Sequence, residues 1–390
     1  MGPSAADPTT ISTRASAPST TAQLRVAVDA TPLMNRPTGV GVMTAALFAQ
    51  LERCDDIDLH GYVVSGRARN RYRRLMPDGV KPLRLAWPAR LAHQAWQHAE
   101  WPRLRGTWDV VHGTNYVVPP VHVGARLITV HDLTAWRFPE LVDRHSRGYP
   151  TLLRRAVAAG AEIHCVSQAV GREVAAELDI ASELIHVVPN GFSPVRPGSG
   201  STGRQRIVAP YVLAIGTIEP RKDYVGLLKA MTDVWIDHPK LKLVIVGGDG
   251  WGVEEFDTAV VDTKAGDRVV RVGYVSEQDK ADLMAGAELL VYPSVYEGFG
   301  LPVLEAMDSG LPVVATAADA VVEVAGGAAE LVAPGDPDQL AATISLVLTD
   351  DERRERLITA GRERVADFSW ERTGSAMIDL YRDLARRIRR

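Results

Sequence analysis

The segment Glu297-Gly298-Phe299-Gly300-Leu301-Pro302-Val303-Leu304-Glu305 sets two carboxylates eight residues apart around a glycine-rich turn. An apolar run at 288–294 leads into the turn, and Pro302 is well suited to open a helix. The main-chain amides near Phe299, Gly300 and Leu301 should therefore face outward from a helix N-terminus. Such an end offers unsatisfied donors and partial positive charge, which suits a phosphate or sugar hydroxyls. Gly298 and Gly300 would let the main chain approach a ligand closely. A glutamate inside the otherwise apolar run at 302–307 is a poor surface residue, so Glu305 reads as functional.

A second string, Gly216-Thr217-Ile218-Glu219-Pro220-Arg221-Lys222-Asp223, lies between an apolar strand and a helix. Adjacent cations there can neutralise a diphosphate, Arg221 through its planar fork and Lys222 as a compact charge. Cations at a helix start oppose the helix dipole and need another reason to be there. The short loop Thr38-Gly39-Val40-Gly41 follows the first strand and is equally compatible with a plain strand-to-helix turn. A complete G-x-G-x-x-G is missing, which counts against a nicotinamide enzyme. His131 and Asp132 end the apolar strand at 126–132, and Tyr274 follows Gly273 at another strand end.

The string EGFGLPVLEAM and the string GTIEPRK resemble the signatures of glycosyltransferase family 4, retaining enzymes of the GT-B fold, and the likeness runs from residue 24 through nearly the whole chain. The resemblance implies that Glu297 and the amides of Phe299, Gly300 and Leu301 hold the donor sugar, and that Glu305 holds the ribose. It places Arg221 and Lys222, with Gly216 and Glu219 of the same string, at the leaving nucleoside diphosphate. Gly39 and Gly41 would close over that diphosphate, His131 would face the transferred sugar, and main-chain groups near Tyr274 would receive the base. Asp132 is expected to orient its loop, and Ser167 and Asn190-Gly191 match further family strings.

The implied reaction moves a hexosyl group, with mannose from GDP-mannose the leading expectation, to a hydroxyl of a glycan, a lipid-linked acceptor or a small molecule. A nucleotide-sugar epimerase or hydrolase, and a non-catalytic nucleotide-sugar-binding partner, are the alternatives. No metal is expected, because Arg221 and Lys222 supply positive charge. Asp56-Ile57-Asp58 precedes an early strand and Asp336-Pro337-Asp338 reads as a helix start. Alanine at Glu297 or Lys222 should abolish transfer and leave the fold.

These residues need a scaffold. The chain has 390 residues, enough for two domains. Short β-branched runs alternate with helical patterns, break off at 193–203 in a Pro/Gly/Ser-rich stretch, and then restart. The expectation is α/β, with two Rossmann-like doubly wound domains facing a central cleft. Residues 1–22 should form a disordered tail, 23–192 an acceptor-side domain, 193–208 a linker and 209–368 a nucleotide-sugar domain. Residues 369–390 are a candidate to cross back as a helix.

A net charge of -4 with 46% hydrophobic residues excludes a general nucleic-acid binder. Cys54 and Cys165 lie far apart in apolar segments expected to be buried, which argues for a reducing cytoplasm rather than a disulfide framework. No apolar run suits a membrane span or signal peptide. Basic runs at 67–74, 144–155 and the C-terminus read as solvated faces or as peripheral contacts with an anionic inner membrane surface. Trp87, Trp96 and Trp101 fall in a helical stretch of the acceptor side, as core or acceptor contacts.

Overall fold

The computed structural model describes residues 23–34, 39–66, 72–142, 144, 146–194, 196–198, 207 and 210–389. The expected tail, most of the expected linker and residues 67–71 of the first basic run lie outside the described residues.

Strands β1 (Leu24–Asp29), β2 (Ile57–Val64), β3 (Lys81–Leu85), β4 (Val110–Gly113), β5 (Ala125–Val130), β6 (Ala161–Cys165) and β7 (Ile185–Val187) form one sheet in the order β3-β2-β1-β4-β5-β6-β7. Strands β8 (Tyr211–Ile215), β9 (Lys242–Val246), β10 (Val269–Gly273), β11 (Leu289–Tyr292), β12 (Val313–Thr316) and β13 (Glu330–Val332) form a second, ordered β10-β9-β8-β11-β12-β13. All pairings are parallel. The central strands are covered on both faces by helices, and every residue of β5 and β8 is buried. Neither β3 nor β13 was expected. Both are edge strands, β3 carrying Pro82 and two exposed residues and β13 spanning only three, and edges escape the apolar run that marks central strands.

In the second sheet, Leu227, Met231 and Trp235 of the helix Tyr224–Asp237 pack on one face, while Val303, Leu304 and Met307 of the helix Leu301–Asp308 pack on the other. The final helix, Trp370–Ile388, lies against the first sheet, burying Met377, Tyr381 and Leu384 among Phe48 and Leu127. A buried polar relay fixes it there. His164 Nε2 donates to the Val188 carbonyl (2.9 Å), so His164 Nδ1 accepts from Thr129 Oγ (2.9 Å). Thr129 Oγ then accepts from His112 Nε2 (2.7 Å), and His112 Nδ1 accepts from the Tyr381 hydroxyl (2.6 Å). Each link needs neutral imidazoles, and burial pushes both histidines down, His164 to about 4.

Two expectations are corrected. Cys54 is only half-buried: it follows the turn after the helix Gly39–Leu51, and its thiol meets Asp56 Oδ1 at 2.8 Å. Of the three tryptophans only Trp96 is helical, in Ala89–Trp96, where its buried indole N–H donates to the Pro102 carbonyl at 2.8 Å. Trp87 and Trp101 lie outside that helix and meet edge to face with centroids 4.6 Å apart. Among the described residues, no helix is long and apolar enough to cross a membrane.

Candidate active site

In a doubly wound sheet the crevice opens where the strand order reverses, which in the second sheet is between β8 and β11. β8 runs into Gly216, whose φ of 147° favours glycine, and a Cβ there would lie 3.1 Å from Lys222 Cε. Pro220–Lys222 is a separate 3-10 turn, and Asp223 caps the following helix by accepting from Gly226 N (3.0 Å). The cations thus precede the α-helix and its N-cap in a turn of their own and do not occupy its first turn. The loop after β11 is tied to this turn by Val295 N donating to the Arg221 carbonyl (2.9 Å).

Residues about 75 positions apart then meet. Arg221 pairs through Nε with Glu219 Oε1 (2.7 Å) and through a terminal nitrogen with Glu297 Oε2 (3.1 Å), and it also donates to the Tyr296 carbonyl (3.1 Å). Lys222 Nζ pairs with Glu297 Oε1 and donates to the Tyr292 hydroxyl (3.1 Å). The Lys222 and Glu297 side chains are each 9% exposed. Burial opposes ionisation of Glu297, but Lys222 and Arg221 together outweigh it and push its pKa down to about 2. Burial likewise opposes charge on Arg221, and Glu297 and Glu219 hold its pKa above the ordinary range. Burial depresses Lys222, with Glu297 pulling the other way. The group is a quartet of two cations and two carboxylates, electrically balanced and largely withdrawn from water.

The turn after Glu297 meets the first sheet. Any side chain at Gly298 would collide with the His131 carbonyl at the end of β5, and the Gly298 carbonyl accepts from Ser167 Oγ (2.9 Å). His131 Nε2 donates to the Thr114 carbonyl (2.8 Å), which leaves Nδ1 as the unprotonated nitrogen, and burial pushes its pKa down. Asp132 Oδ1 accepts from the Tyr116 hydroxyl and from Thr134 N, both at 2.8 Å, and so shapes its own loop. Three further residues on this seam carry no sequence motif. The Tyr296 hydroxyl accepts from Leu133 N (2.6 Å) and donates to Glu173 (2.8 Å), while the Glu323 carboxylate takes the amides of Gln168 and Ala169 (2.8 and 2.9 Å).

The remaining predicted residues stand apart from the quartet. Phe299 is buried, edge to face with Phe368, so only its main chain is free for a ligand. Gly300, at φ 113°, precedes the helix Leu301–Asp308 that Leu301 opens. Glu305, on that helix, pairs with Lys280 (2.8 Å), which also holds Glu277 (2.8 Å). Burial raises the Glu305 pKa and Lys280 opposes it. Lys280, in a polar helix 25 residues upstream of Glu305, gave no signal in the sequence. Tyr274 is 67% exposed beside Gly248 at the end of β10. Gly39 and Gly41 open the helix Gly39–Leu51 after β1. Of the two Asp-x-Asp strings, Asp336 caps a helix through Gln339 N, while Asp56 pairs with Arg382 and Asp58 with Lys81.

Two Rossmann-like sheets of one strand order, with a charged cluster at the carboxyl ends of the second and a seam to the first, define a GT-B glycosyltransferase. Residues 207–364 match the family described as glycosyl transferases group 1, and residues 37–196 match Glycosyltransferase Family 4. The chain is 31% identical over 323 residues to O-antigen chain mannosyltransferase B of Escherichia coli, covering 79% of this chain and 81% of that one. It is 30% identical over 308 residues to the MMP alpha-(1->4)-mannosyltransferase of Mycolicibacterium hassiacum, covering 73% and 72%. Anabaena HepE, solved in complex with UDP and glucose, superposes with a TM-score of 0.68 at 18% identity over 93% of this chain and 100% of that one. The chain belongs to glycosyltransferase family 4 and is a glycosyltransferase.

Proposed function

We propose that the chain transfers a hexosyl group from a nucleoside diphosphate sugar, with GDP-mannose the first choice, to a hydroxyl of a glycan, glycolipid or small-molecule acceptor, with retention at the anomeric carbon and without a metal ion. The buried quartet of Glu219, Arg221, Lys222 and Glu297 carries this reading. Departure of the diphosphate builds negative charge on its leaving oxygen, and preorganised cations in a water-poor site stabilise such charge far better than water does. An arriving diphosphate takes over Arg221 and Lys222, and the oxygens of Glu297 they release accept hydroxyls of the sugar. The cations stay partnered before and after this exchange.

Once the diphosphate has taken the two cations, Glu297 is occupied by the sugar hydroxyls and is not free to act as a covalent nucleophile. Front-face displacement fits better: the acceptor oxygen bonds to the anomeric carbon, the bond from that carbon to the phosphate oxygen breaks, and the leaving phosphate takes the acceptor's proton. Neutral His131 offers Nδ1 to a hydroxyl of the transferred sugar. The mannosyl preference is supported by the relatives named O-antigen chain mannosyltransferase B and MMP alpha-(1->4)-mannosyltransferase. Thermal shifts with GDP, UDP and ADP test it, because the matching nucleotide stabilises the folded state by mass action. GDP should give the largest shift, and a larger shift with UDP would replace mannose from GDP-mannose as first choice.

A further inference from the structure

Tyr296 precedes Glu297 in the second domain, yet its side chain is seated among residues of the first. The residue is 6% exposed, with the Arg137 guanidinium 5.0 Å from the ring centroid and the Phe138 ring 5.7 Å away. Its hydroxyl accepts from Leu133 N at 2.6 Å, two residues beyond His131. The same hydroxyl donates to one oxygen of Glu173 at 2.8 Å, and the other oxygen of that carboxylate pairs with Arg137 at 2.8 Å. Burial, with Asp132 and Glu173 nearby, holds the phenol well above its ordinary pKa, so the hydroxyl keeps the proton it donates. The main chain here is bonded to the quartet. The Tyr296 carbonyl accepts from Arg221 at 3.1 Å, and Val295 N donates to the Arg221 carbonyl at 2.9 Å. One residue thus joins the strand end that carries His131 to the turn that carries Glu297.

The exchange proposed above gives this link a task. Lys222 and Arg221 hold the Glu297 carboxylate in the structure. A diphosphate that takes both cations strips Glu297 of these partners just when the sugar needs it. The hydroxyl contacts of Tyr296 involve neither cation and survive the exchange. They also fix a distance better than packing does. A ring slides in an apolar slot, whereas a hydroxyl that accepts from a main-chain amide and donates to a carboxylate has both directions set.

We propose that Tyr296 is a positioning residue for sugar recognition: its hydroxyl, held by Leu133 N and Glu173, sets Glu297 against His131 across the two domains after the diphosphate has taken the cations. The inference rests on the donor reading above. It is tested on the full chain by calorimetric titration with GDP, UDP and ADP and with GDP-mannose, UDP-glucose and ADP-glucose, comparing each nucleotide sugar with its own nucleoside diphosphate. Tyr296→Phe keeps the ring and the carbonyl. It should leave affinity for the nucleoside diphosphate within about twofold and weaken the nucleotide sugar about tenfold. General damage to the fold would weaken both ligands alike. Glu173→Gln retains an oxygen to accept from the hydroxyl and should stay within about threefold of the unaltered chain, whereas Glu173→Met should match Tyr296→Phe. Combining Tyr296→Phe with Glu173→Met should add no further loss, because both remove one interaction. Glu173→Met leaves Leu133 N its acceptor, so it carries the test if Tyr296→Phe does not fold. Equal losses for both ligands, an unchanged nucleotide-sugar affinity in Tyr296→Phe or Glu173→Met, or additive losses in the double variant would each overturn the inference. No binding of any of the six ligands to the unaltered chain would instead overturn the donor reading, and the inference with it.

Discussion

The first six strands of each sheet follow one order, yet the crevice of the second sheet holds four charged side chains, while the cavity at the switch point of the first is lined, among the described residues, by the carboxylate of Asp29 with Thr31, His93, Asn115 and apolar side chains. A shared scaffold thus presents two chemistries, and the difference lies in the loops after β1, β4, β8 and β11. Charge balance is the instructive contrast. The second crevice holds its cations against carboxylates that, in the proposed reading, a diphosphate replaces, whereas the described lining of the first cavity includes one carboxylate and neither Lys nor Arg.

The contrast breaks if variants in the two crevices behave alike. Lys222→Met removes a cation from the leaving group and should lower turnover about 10²- to 10³-fold at saturating donor, measured by release of nucleoside diphosphate. Asp29→Asn should leave binding of the nucleoside diphosphate unaffected, and an equal loss of binding in both variants would erase the distinction. Next in size, Glu297→Ala strands Arg221 and Lys222 in a buried site and should cost about 3–5 kcal/mol in urea melts. Urea melts of Glu297→Ala therefore test the expectation that alanine at this position leaves the fold, and Glu297→Gln is the gentler substitution.

Acid should unfold the two halves in separate windows. Glu297 has its pKa lowered from 4.5 to about 2, so its stabilisation is present above 4.5 and lost as pH falls toward 2. His164 is lowered from 6.5 to about 4, and because it must stay neutral its contribution is complete above 6.5 and lost as pH falls toward 4. Near-ultraviolet circular dichroism along an acid titration should show the first sheet's relay failing first, and Glu297→Gln should alter only the lower window. The smallest effect expected is Tyr381→Phe, which removes one hydrogen bond from the relay and should cost about 1 kcal/mol by thermal melting without changing nucleotide binding.

Much of this was legible because central parallel strands and glycine-rich turns leave strong local marks. The runs that became β5, β8 and β11 are rich in Leu, Ile and Val, and Glu297 and Arg221 sit in strings whose residue types state their chemistry. The pairing of those strings with each other was not legible, since the ion pairs span about 75 residues and exist only once β8 and β11 are neighbours. Lys280 was hidden for the same reason, as a lysine in a polar helix whose partner is set by packing. Asp29 was hidden differently: one aspartate after a strand has no spacing to read, and its meaning comes from the cavity around it.

The most direct test is calorimetric binding of the best-stabilising nucleoside diphosphate to the unaltered chain, Lys222→Met and Asp29→Asn. If the quartet holds the donor diphosphate, Lys222→Met weakens binding by about tenfold to a hundredfold and Asp29→Asn leaves it unchanged. Unchanged affinity in Lys222→Met, or equal losses in both variants, would contradict the assignment of the quartet as the donor site.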